Sequence, residues 1–231
     1  MRKLLIAVLV LVLLGAGADF AAARIFEDRV TEALQREYDL GKRPVVQVRD
    51  VPFLPRLATG RFSTIDVAAT DATARGVNAA QLKLTLHGVR VPPEVMLGEP
   101  GQITVDRADG TIELTEAEVN RLLADRLQGG SVAVKEDGVE VRSRVELLGQ
   151  PLEALITGEL GAREGEVTFT PSEIRLGERR IDPSATDLLA SRFTFQVPLP
   201  DLPAGVRLER VDTRPGTVVL SGRAAGVQVD A

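Results

Sequence analysis

The side chains that most often perform enzymatic chemistry are sparse in this chain. Its 231 residues include one histidine, His87, and no cysteine. His87 shares one face of a predicted strand with Lys83 and Thr85, opposite the leucines that alternate with them, so we expect an exposed histidine. A chain without cysteine or a histidine cluster has no thiolate nucleophile and no zinc site of the usual kind.

Carboxylates are numerous, but the prominent ones fall in predicted turns. Asp109, Glu136, Asp137 and Glu164 lie at or beside Asp-Gly or Glu-Gly pairs, where solvated turn residues are more common than acid–base catalysts. The sequence also contains no G-x-S-x-G nucleophile elbow, no G-x-x-x-x-G-K-S/T phosphate loop and no G-x-G-x-x-G dinucleotide fingerprint. We therefore predict no catalytic residue, no metal ion and no cofactor.

The remaining candidates for a functional site are apolar residues beside arginines. The segments 52–62 and 193–203 are rich in large apolar residues, and their prolines keep them out of central strands. In the first segment, the apolar side chains either fill the core where the chain turns or form an apolar lip whose arginines can contact a phosphate or headgroup. The candidate binding residues are Phe53, Leu54, Arg56, Leu57, Arg61, Phe62, Phe193, Phe195 and Leu202.

The N-terminal segment predicts export. Arg2 and Lys3 precede an unbroken apolar run, Leu4–Leu14, and Ala16-Gly17-Ala18 matches the small-residue pattern of a signal-peptidase site. We therefore expect residues 1–18 to be a signal peptide, which places the mature protein in the cell envelope or periplasmic space. A retained membrane anchor is the alternative, since the apolar run could tilt or extend beyond Asp19.

An amphipathic helix of about five turns is predicted directly after the leader. Apolar residues recur three or four positions apart, with charged residues on the opposite side, until Gly41 and Pro44 end the pattern. A helix with one apolar stripe must bury that stripe against protein or lipid. The predicted stripe consists of Phe20, Ala23, Phe26, Val30, Ala33 and Leu34.

Long antiparallel strands are predicted for most of the remaining chain. Apolar and polar residues alternate in 64–69 and 82–87, and the spacing of the turns leaves strands of about 10–12 residues. Two short helices interrupt them, one at the capping box Thr115–Glu118 and one at Asp182-Pro183. The expected hairpin tips are Asp109-Gly110, Asp137-Gly138, Glu164-Gly165 and Pro215-Gly216.

These elements predict an α+β fold. A long, curved antiparallel β-sheet should pack on the long N-terminal amphipathic helix, and we expect residues 19–231 to form a single domain. The net charge is −5, and removal of Arg2 and Lys3 leaves 26 basic against 33 acidic residues, or −7. An acidic chain with few aromatic residues has no broad attraction to nucleic acid, so we predict no nucleic-acid partner.

The order of these features resembles a known family. The motif V-P-F-L-x-x-L-x-x-G-x-F spans Val51 to Phe62, alternating strands end in G-V-R-V-P at 88–92, and L-P-A-G-V-R-L-E-R-V runs from Leu202 to Val211. With these motifs, and with a leader that runs into a helix, nearly the whole mature chain resembles the LmeA-like phospholipid-binding family of actinobacterial cell envelopes, formerly a domain of unknown function.

The resemblance implies a fold similar to tubular lipid-binding (BPI-like) modules, in which a sheet wraps a long helix around an apolar groove. It implies a phospholipid ligand, with inositol phospholipid as one candidate, contact with a membrane surface, and a role beside an envelope biosynthesis protein in lipid or lipoglycan assembly. No catalytic residues come with the family. The alternative is a membrane-anchored envelope scaffold that binds a partner protein and holds no lipid.

Overall fold

The computed structural model describes residues 2–37, 42–74, 76–127, 129–147, 150–163, 166–177, 179–181, 195–197 and 206–230. It confirms the predicted α+β class, with an N-terminal helix and extensive antiparallel β-structure. The helices are α1 (Arg2–Glu37), α2 (Leu54–Thr59), α3 (Pro93–Met96) and α4 (Glu116–Leu127). The strands are β1 (Val45–Val48), β2 (Arg61–Ala74), β3 (Val77–Arg90), β4 (Gln102–Thr115), β5 (Ser131–Lys135), β6 (Gly138–Leu147), β7 (Gln150–Arg163), β8 (Glu166–Leu176), β9 (Arg179–Arg180), β10 (Phe195–Val197), β11 (Val206–Arg214) and β12 (Thr217–Asp230).

The strands form two sheets instead of the single long sheet that was expected. One has the order β1-β2-β3-β4-β12-β11, and the other has the order β10-β8-β7-β6-β5, with β9 paired to β8. Five of the described strands are longer than the roughly 10–12 residues predicted, since β2, β3, β4, β7 and β12 each have 14.

The chain divides into two compact units. Unit 1 comprises Met1–Ala69, Lys83–Asp109 and Ala224–Ala231, and unit 2 comprises Thr70–Leu82 and Gly110–Arg223. Each unit has its own apolar core. The strands β2, β3, β4 and β12 contribute residues to both units.

Two of the predicted hairpin tips are confirmed directly. The turn at Asp137-Gly138 joins β5 to β6, and Pro215-Gly216 lies between β11 and β12. Glu164-Gly165 lies outside the described residues, but the pairing of Arg163 with Glu166 on either side shows that β7 and β8 form the expected hairpin.

The prediction for Asp109-Gly110 was wrong, because this pair lies in the interior of β4. β4 has a neighbouring strand on each side, β3 and β12, and pairing on both edges favours a strand that continues without folding back.

Two proline-containing connections of unit 1 contain short helices. The segment 52–62 contains α2, which has a proline in its first turn and ends at Gly60 with φ 62°. A side chain at Gly60 would be strained at this φ, and its Cβ would lie 2.1 Å from the carbonyl oxygen of Val91. The connection after Pro92 contains α3. The helix predicted at Asp182-Pro183 lies outside the described residues.

α1 is one continuous helix of 36 residues that includes both the leader and the amphipathic segment. Its half-buried stripe, which packs against the unit 1 core, consists of Ala22, Ala23, Phe26, Val30 and Leu34. The prediction was wrong for Phe20, which is 63% exposed, and for Ala33, which is also exposed. Phe20 lies about 120° around the helix from Phe26, outside the stripe. In the part of the chain that the structure describes, no helix is long and apolar enough to cross a membrane.

Two carboxylates of α1 bind backbone N–H groups of the segments packed beside the helix. Asp19 accepts hydrogen bonds of 2.7 Å from the N–H groups of both Phe53 and Leu54, at the start of α2. Glu27 accepts a hydrogen bond of 2.9 Å from the N–H of Val48 in β1. Because a helix N-terminus has unsatisfied donors and a partial positive charge, Asp19 both caps α2 and fixes it against α1.

Candidate functional site

Unit 2 contains a cavity whose lining, among the residues that the structure describes, is entirely apolar. Side chains from the sheets form its walls, and one face of α4 covers it. The empty space is about 660 Å³ when the part open to solvent is counted. The lining residues are Leu114, Val119, Leu122, Leu123, Val132, Val139, Val141, Leu160, Val167, Phe169, Val218 and Leu220.

Strand alternation explains why the described lining of the cavity is apolar. Val139 and Val141 are two residues apart in β6, and Val167 and Phe169 are two apart in β8, so each pair faces the same side. These four side chains are buried. An apolar cavity gives water no hydrogen-bond partner, so its natural occupant is another apolar group.

Polar side chains of α4 bind the edge of β5 beside the cavity. The amide of Asn120 accepts a hydrogen bond from Val132 N (2.8 Å) and donates one to Val132 O (2.7 Å), as a neighbouring strand would. The carboxylate of Glu116 accepts a hydrogen bond of 2.8 Å from Val134 N. α4 therefore occupies part of the free edge of β5 and is held over the cavity by directional bonds.

Of the two hydrogen bonds in the capping box predicted at the start of α4, one is confirmed. Thr115 Oγ1 accepts a hydrogen bond of 3.2 Å from Glu118 N, as expected. The Glu118 side chain does not return to Thr115, but accepts hydrogen bonds from Arg121 and from the backbone and side chain of Asn78. Hydrogen bonds from the Arg121 guanidinium lower the pKa of this buried carboxyl from 4.5 to about 2. Burial acts in the opposite direction and raises the pKa, while the hydrogen bonds from Asn78 lower it further.

The sequence-predicted residues of unit 1 divide between core and surface. The rings of Phe53 and Phe62 form a cluster with Phe26, with centroids 5.4–6.0 Å apart, and both are buried. The sequence left open whether these phenylalanines fill the core or form an apolar lip, and the structure places both in the core. Leu54 is 40% exposed, and Leu57 is half-buried against the same core. Contact of these residues with lipid stays a prediction.

Arg56 and Arg61 are brought together in a second pocket, in unit 1. Ser63, Gly88 and Arg90 also line it. Arg90 was absent from the predicted site because it lies about 30 residues further along the chain. The only sequence signal for Arg90 is its place in the G-V-R-V-P motif at 88–92, where a predicted strand ends.

The second predicted segment lies largely outside the described residues. This applies to Phe193 and Leu202. The backbone of Phe195 lies in β10, where it pairs with the cavity-lining Phe169 of β8. His87, predicted to be exposed, is half-buried, with Nε2 3.3 Å from Asp109 Oδ2. Within the described residues, no group of three or more His, Asp or Glu side chains could hold a metal ion.

The unit 2 cavity was missed by sequence reasoning. The apolar stripe of α4 and the alternation in the strands were visible, but both predict only buried faces. Whether opposing buried faces touch or leave a space depends on the size of side chains that are distant in sequence.

Comparison with known proteins identifies the family. The sequence model of the LmeA-like phospholipid-binding family matches residues 17–223, which is 207 of the 231 residues. No curated protein and no solved structure matches the chain. This is a lipid-binding family and not an enzyme family, and a cavity with twelve apolar lining residues agrees with lipid binding. The chain belongs to the LmeA-like phospholipid-binding family.

Proposed function

We propose that this protein is an exported cell-envelope protein that shelters phospholipid acyl chains in the unit 2 cavity and takes part in the assembly of envelope lipids or lipoglycans. The observation that carries the proposal is the lining of the cavity by twelve apolar residues, with no polar residue in the described part of the lining. Such a lining suits hydrocarbon and leaves a charged headgroup outside. Inositol phospholipid is the candidate ligand that the family resemblance suggests.

The free energy of acyl burial is large enough to support this function. Each methylene removed from water contributes ~0.8 kcal/mol, so ten sheltered methylenes contribute about 8 kcal/mol before the cost of ordering the lipid. A single hydrogen bond to a charged headgroup contributes about 1.5–3 kcal/mol. We therefore expect acyl chain length to dominate affinity.

Exposed apolar residues of unit 1 support contact with a membrane surface. Val51 is 90% exposed beside α2, and Leu97 is 81% exposed beside α3. α2 and α3 lie close together. A Cβ built at Gly60, where α2 ends, would lie 3.4 Å from the terminal methyl of Met96 in α3. Short segments that present large apolar side chains to solvent suit shallow insertion among lipid headgroups.

A cavity-filling substitution tests the lipid-binding proposal. Leu123 lines the cavity from α4, and the neighbouring Ala124 is exposed on the same helix. Leu123→Trp should weaken binding of long-chain phospholipid at least tenfold, whereas Ala124→Trp should leave it unchanged. The measurements are titration of each variant with phospholipid and mass spectrometry of organic extracts from the purified proteins, with circular dichroism to verify folding. If folded Leu123→Trp binds as tightly as the wild type, the cavity does not hold the acyl chains.

A second candidate function is a membrane-anchored scaffold that holds no lipid. It is favoured by the continuity of α1 across the predicted cleavage site after Ala18, and by the contacts of Asp19 with α2. N-terminal sequencing of native protein distinguishes the candidates. A chain that begins at Asp19 supports the exported form, and an intact Met1 in the membrane fraction together with an absence of extracted lipid supports the scaffold.

A further inference from the structure

Three arginines from different elements line the unit 1 pocket. Arg56 lies in α2, Arg61 begins β2, and Arg90 ends β3. Ser63 and Gly88 lie two residues from Arg61 and Arg90 on the same strands. The empty space is about 430 Å³ when the part open to solvent is counted, so the pocket is open enough for a polar group to enter.

The strand register places two of these arginines opposite each other. Val91 N donates a hydrogen bond of 2.8 Å to Gly60 O at the point where β2 and β3 meet. In the antiparallel register that this bond sets, the next pair along the strands is Arg61 and Arg90. Like charges at directly opposite positions destabilise a sheet, so the arrangement is unfavourable unless an anion compensates it.

Carboxylates of the protein compensate only part of this charge. Asp106 Oδ1 accepts a hydrogen bond of 2.8 Å from Arg90, and Asp50 Oδ1 lies 3.3 Å from Arg56 Nε. The other oxygen of Asp50 is already occupied by the N–H of Ser63, at 2.7 Å. Within the described part of the chain, Arg61 has no ion-pair partner. Three guanidinium groups against two carboxylates leave the pocket positive, in a chain whose net charge is −5.

We propose that this pocket binds the phosphate group of a phosphate ester, with Arg61 as its main ligand and Arg56 and Ser63 as further donors. The planar fork of a guanidinium matches two phosphate oxygens, and the exposed Ser63 hydroxyl adds a third donor. A phospholipid headgroup and a free phosphate ester present the same chemistry. Assignment of the phosphate to a phospholipid rests on the proposed function.

Isothermal titration of the full chain with three soluble probes tests this site. Dihexanoyl phosphatidic acid carries acyl chains and a phosphate, dihexanoylglycerol carries the same chains without phosphate, and glycerol 3-phosphate carries phosphate without chains. The variants are Arg61→Gln and the matched control Arg29→Gln, which makes the same charge change at an exposed position of α1 in the same unit. Circular dichroism verifies that each variant is folded.

We expect the wild type to bind dihexanoyl phosphatidic acid roughly tenfold to a hundredfold more tightly than dihexanoylglycerol, the contribution typical of hydrogen bonds to a charged group. Arg61→Gln should abolish this difference, and Arg29→Gln should retain it. Equal affinity of the wild type for both lipids, or a difference that persists in Arg61→Gln, overturns the phosphate site and leaves acyl binding intact.

The glycerol 3-phosphate titration identifies the source of the phosphate. If glycerol 3-phosphate binds as tightly as dihexanoyl phosphatidic acid and Arg61→Gln abolishes both, the site takes a free phosphate ester and its assignment to lipid is wrong. If neither lipid binds the wild type, the proposed lipid-binding function fails. In that case, glycerol 3-phosphate binding that is lost in Arg61→Gln supports the phosphate site, and its absence overturns the site.

Discussion

Replacement of Glu118 by glutamine tests how α4 is held beside the unit 2 cavity. The Glu118 side chain is 6% exposed and accepts hydrogen bonds from Asn78 N (2.8 Å), Asn78 Nδ2 (3.1 Å) and Arg121 Nε (2.8 Å). Glutamine keeps the shape of the side chain but removes its charge and replaces one acceptor oxygen with a donor. The substitution therefore weakens the bonds to α4 and β3 while leaving the cavity lining intact.

The expected magnitude follows from the pKa of Glu118. Hydrogen bonds from Arg121 are the main cause of its fall from 4.5 to about 2. A fall of that size corresponds to about 3 kcal/mol, since each tenfold change in proton affinity contributes ~1.4 kcal/mol. The Arg121 side chain is 50% exposed, and solvent screens the pair, so we expect Glu118→Gln to lower the free energy of unfolding by about 1–2 kcal/mol at pH 7.

The sign of the pH dependence is determined by the same pKa. Because the folded-state pKa is lower than the unfolded value of 4.5, the stabilisation is fully present above pH 4.5 and is lost as pH falls towards 2. The difference between wild type and Glu118→Gln should therefore shrink to less than half between pH 7 and pH 3.

Urea unfolding followed by circular dichroism at pH 7, 4.5 and 3 measures this difference. The control is Asp125→Asn, which makes the same charge change at an exposed position of α4 and should alter stability by no more than about 0.5 kcal/mol. If the wild type and Glu118→Gln differ in free energy of unfolding as much at pH 3 as at pH 7, the stabilisation by Glu118 does not come from its charge. If Glu118→Gln and Asp125→Asn change the free energy of unfolding equally at pH 7, the hydrogen bonds of Glu118 do not stabilise the fold.

Three further predictions follow from the burial of the unit 1 residues and from the cavity. Phe53→Ala should lower the free energy of unfolding by about 3–5 kcal/mol because it removes a buried ring, whereas Val51→Ala at a 90% exposed position should cost under about 0.5 kcal/mol; urea unfolding compares the two, and similar costs would contradict the core assignment. Leu54→Asp should leave the melting temperature nearly unchanged, while Leu57→Asp, half-buried against the core, should cost about 1–3 kcal/mol; equal melting temperatures would argue against that burial. Titration with one headgroup and a series of acyl lengths, at low and high ionic strength, should show affinity that rises with chain length and changes little with salt. Affinity that ignores chain length and collapses with salt would rule out acyl burial as the source of binding.

Local patterns in the sequence were sufficient for the fold class and for most of its elements. Alternation placed the long strands because side-chain direction reverses at each residue of an extended chain. The helical period placed Phe26, Val30 and Leu34 on the half-buried stripe of α1. Turn chemistry placed the hairpin at Asp137-Gly138. Each of these signals acts within a few residues, so it can be read without knowledge of distant neighbours.

Where the same local signal led to different structures, the tertiary contacts of the segment decided which one formed. Asp109-Gly110 has the composition of a hairpin tip but lies inside β4, which is paired on both edges. Phe53 and Leu54 are adjacent apolar residues, yet only Phe53 enters the core, where it meets Phe26 of α1. Neither outcome could be predicted locally, because each depends on which elements pack against the segment.

The two candidate binding sites also depend on contacts between distant residues. Arg61 and Arg90 face each other only because of the register between β2 and β3. The unit 2 cavity exists because the apolar faces of α4 and the sheet strands enclose space that their side chains do not fill. The sequence by itself determined that these faces are apolar and buried. The space between them is set by three-dimensional packing, which depends on the size and position of side chains that no local period relates.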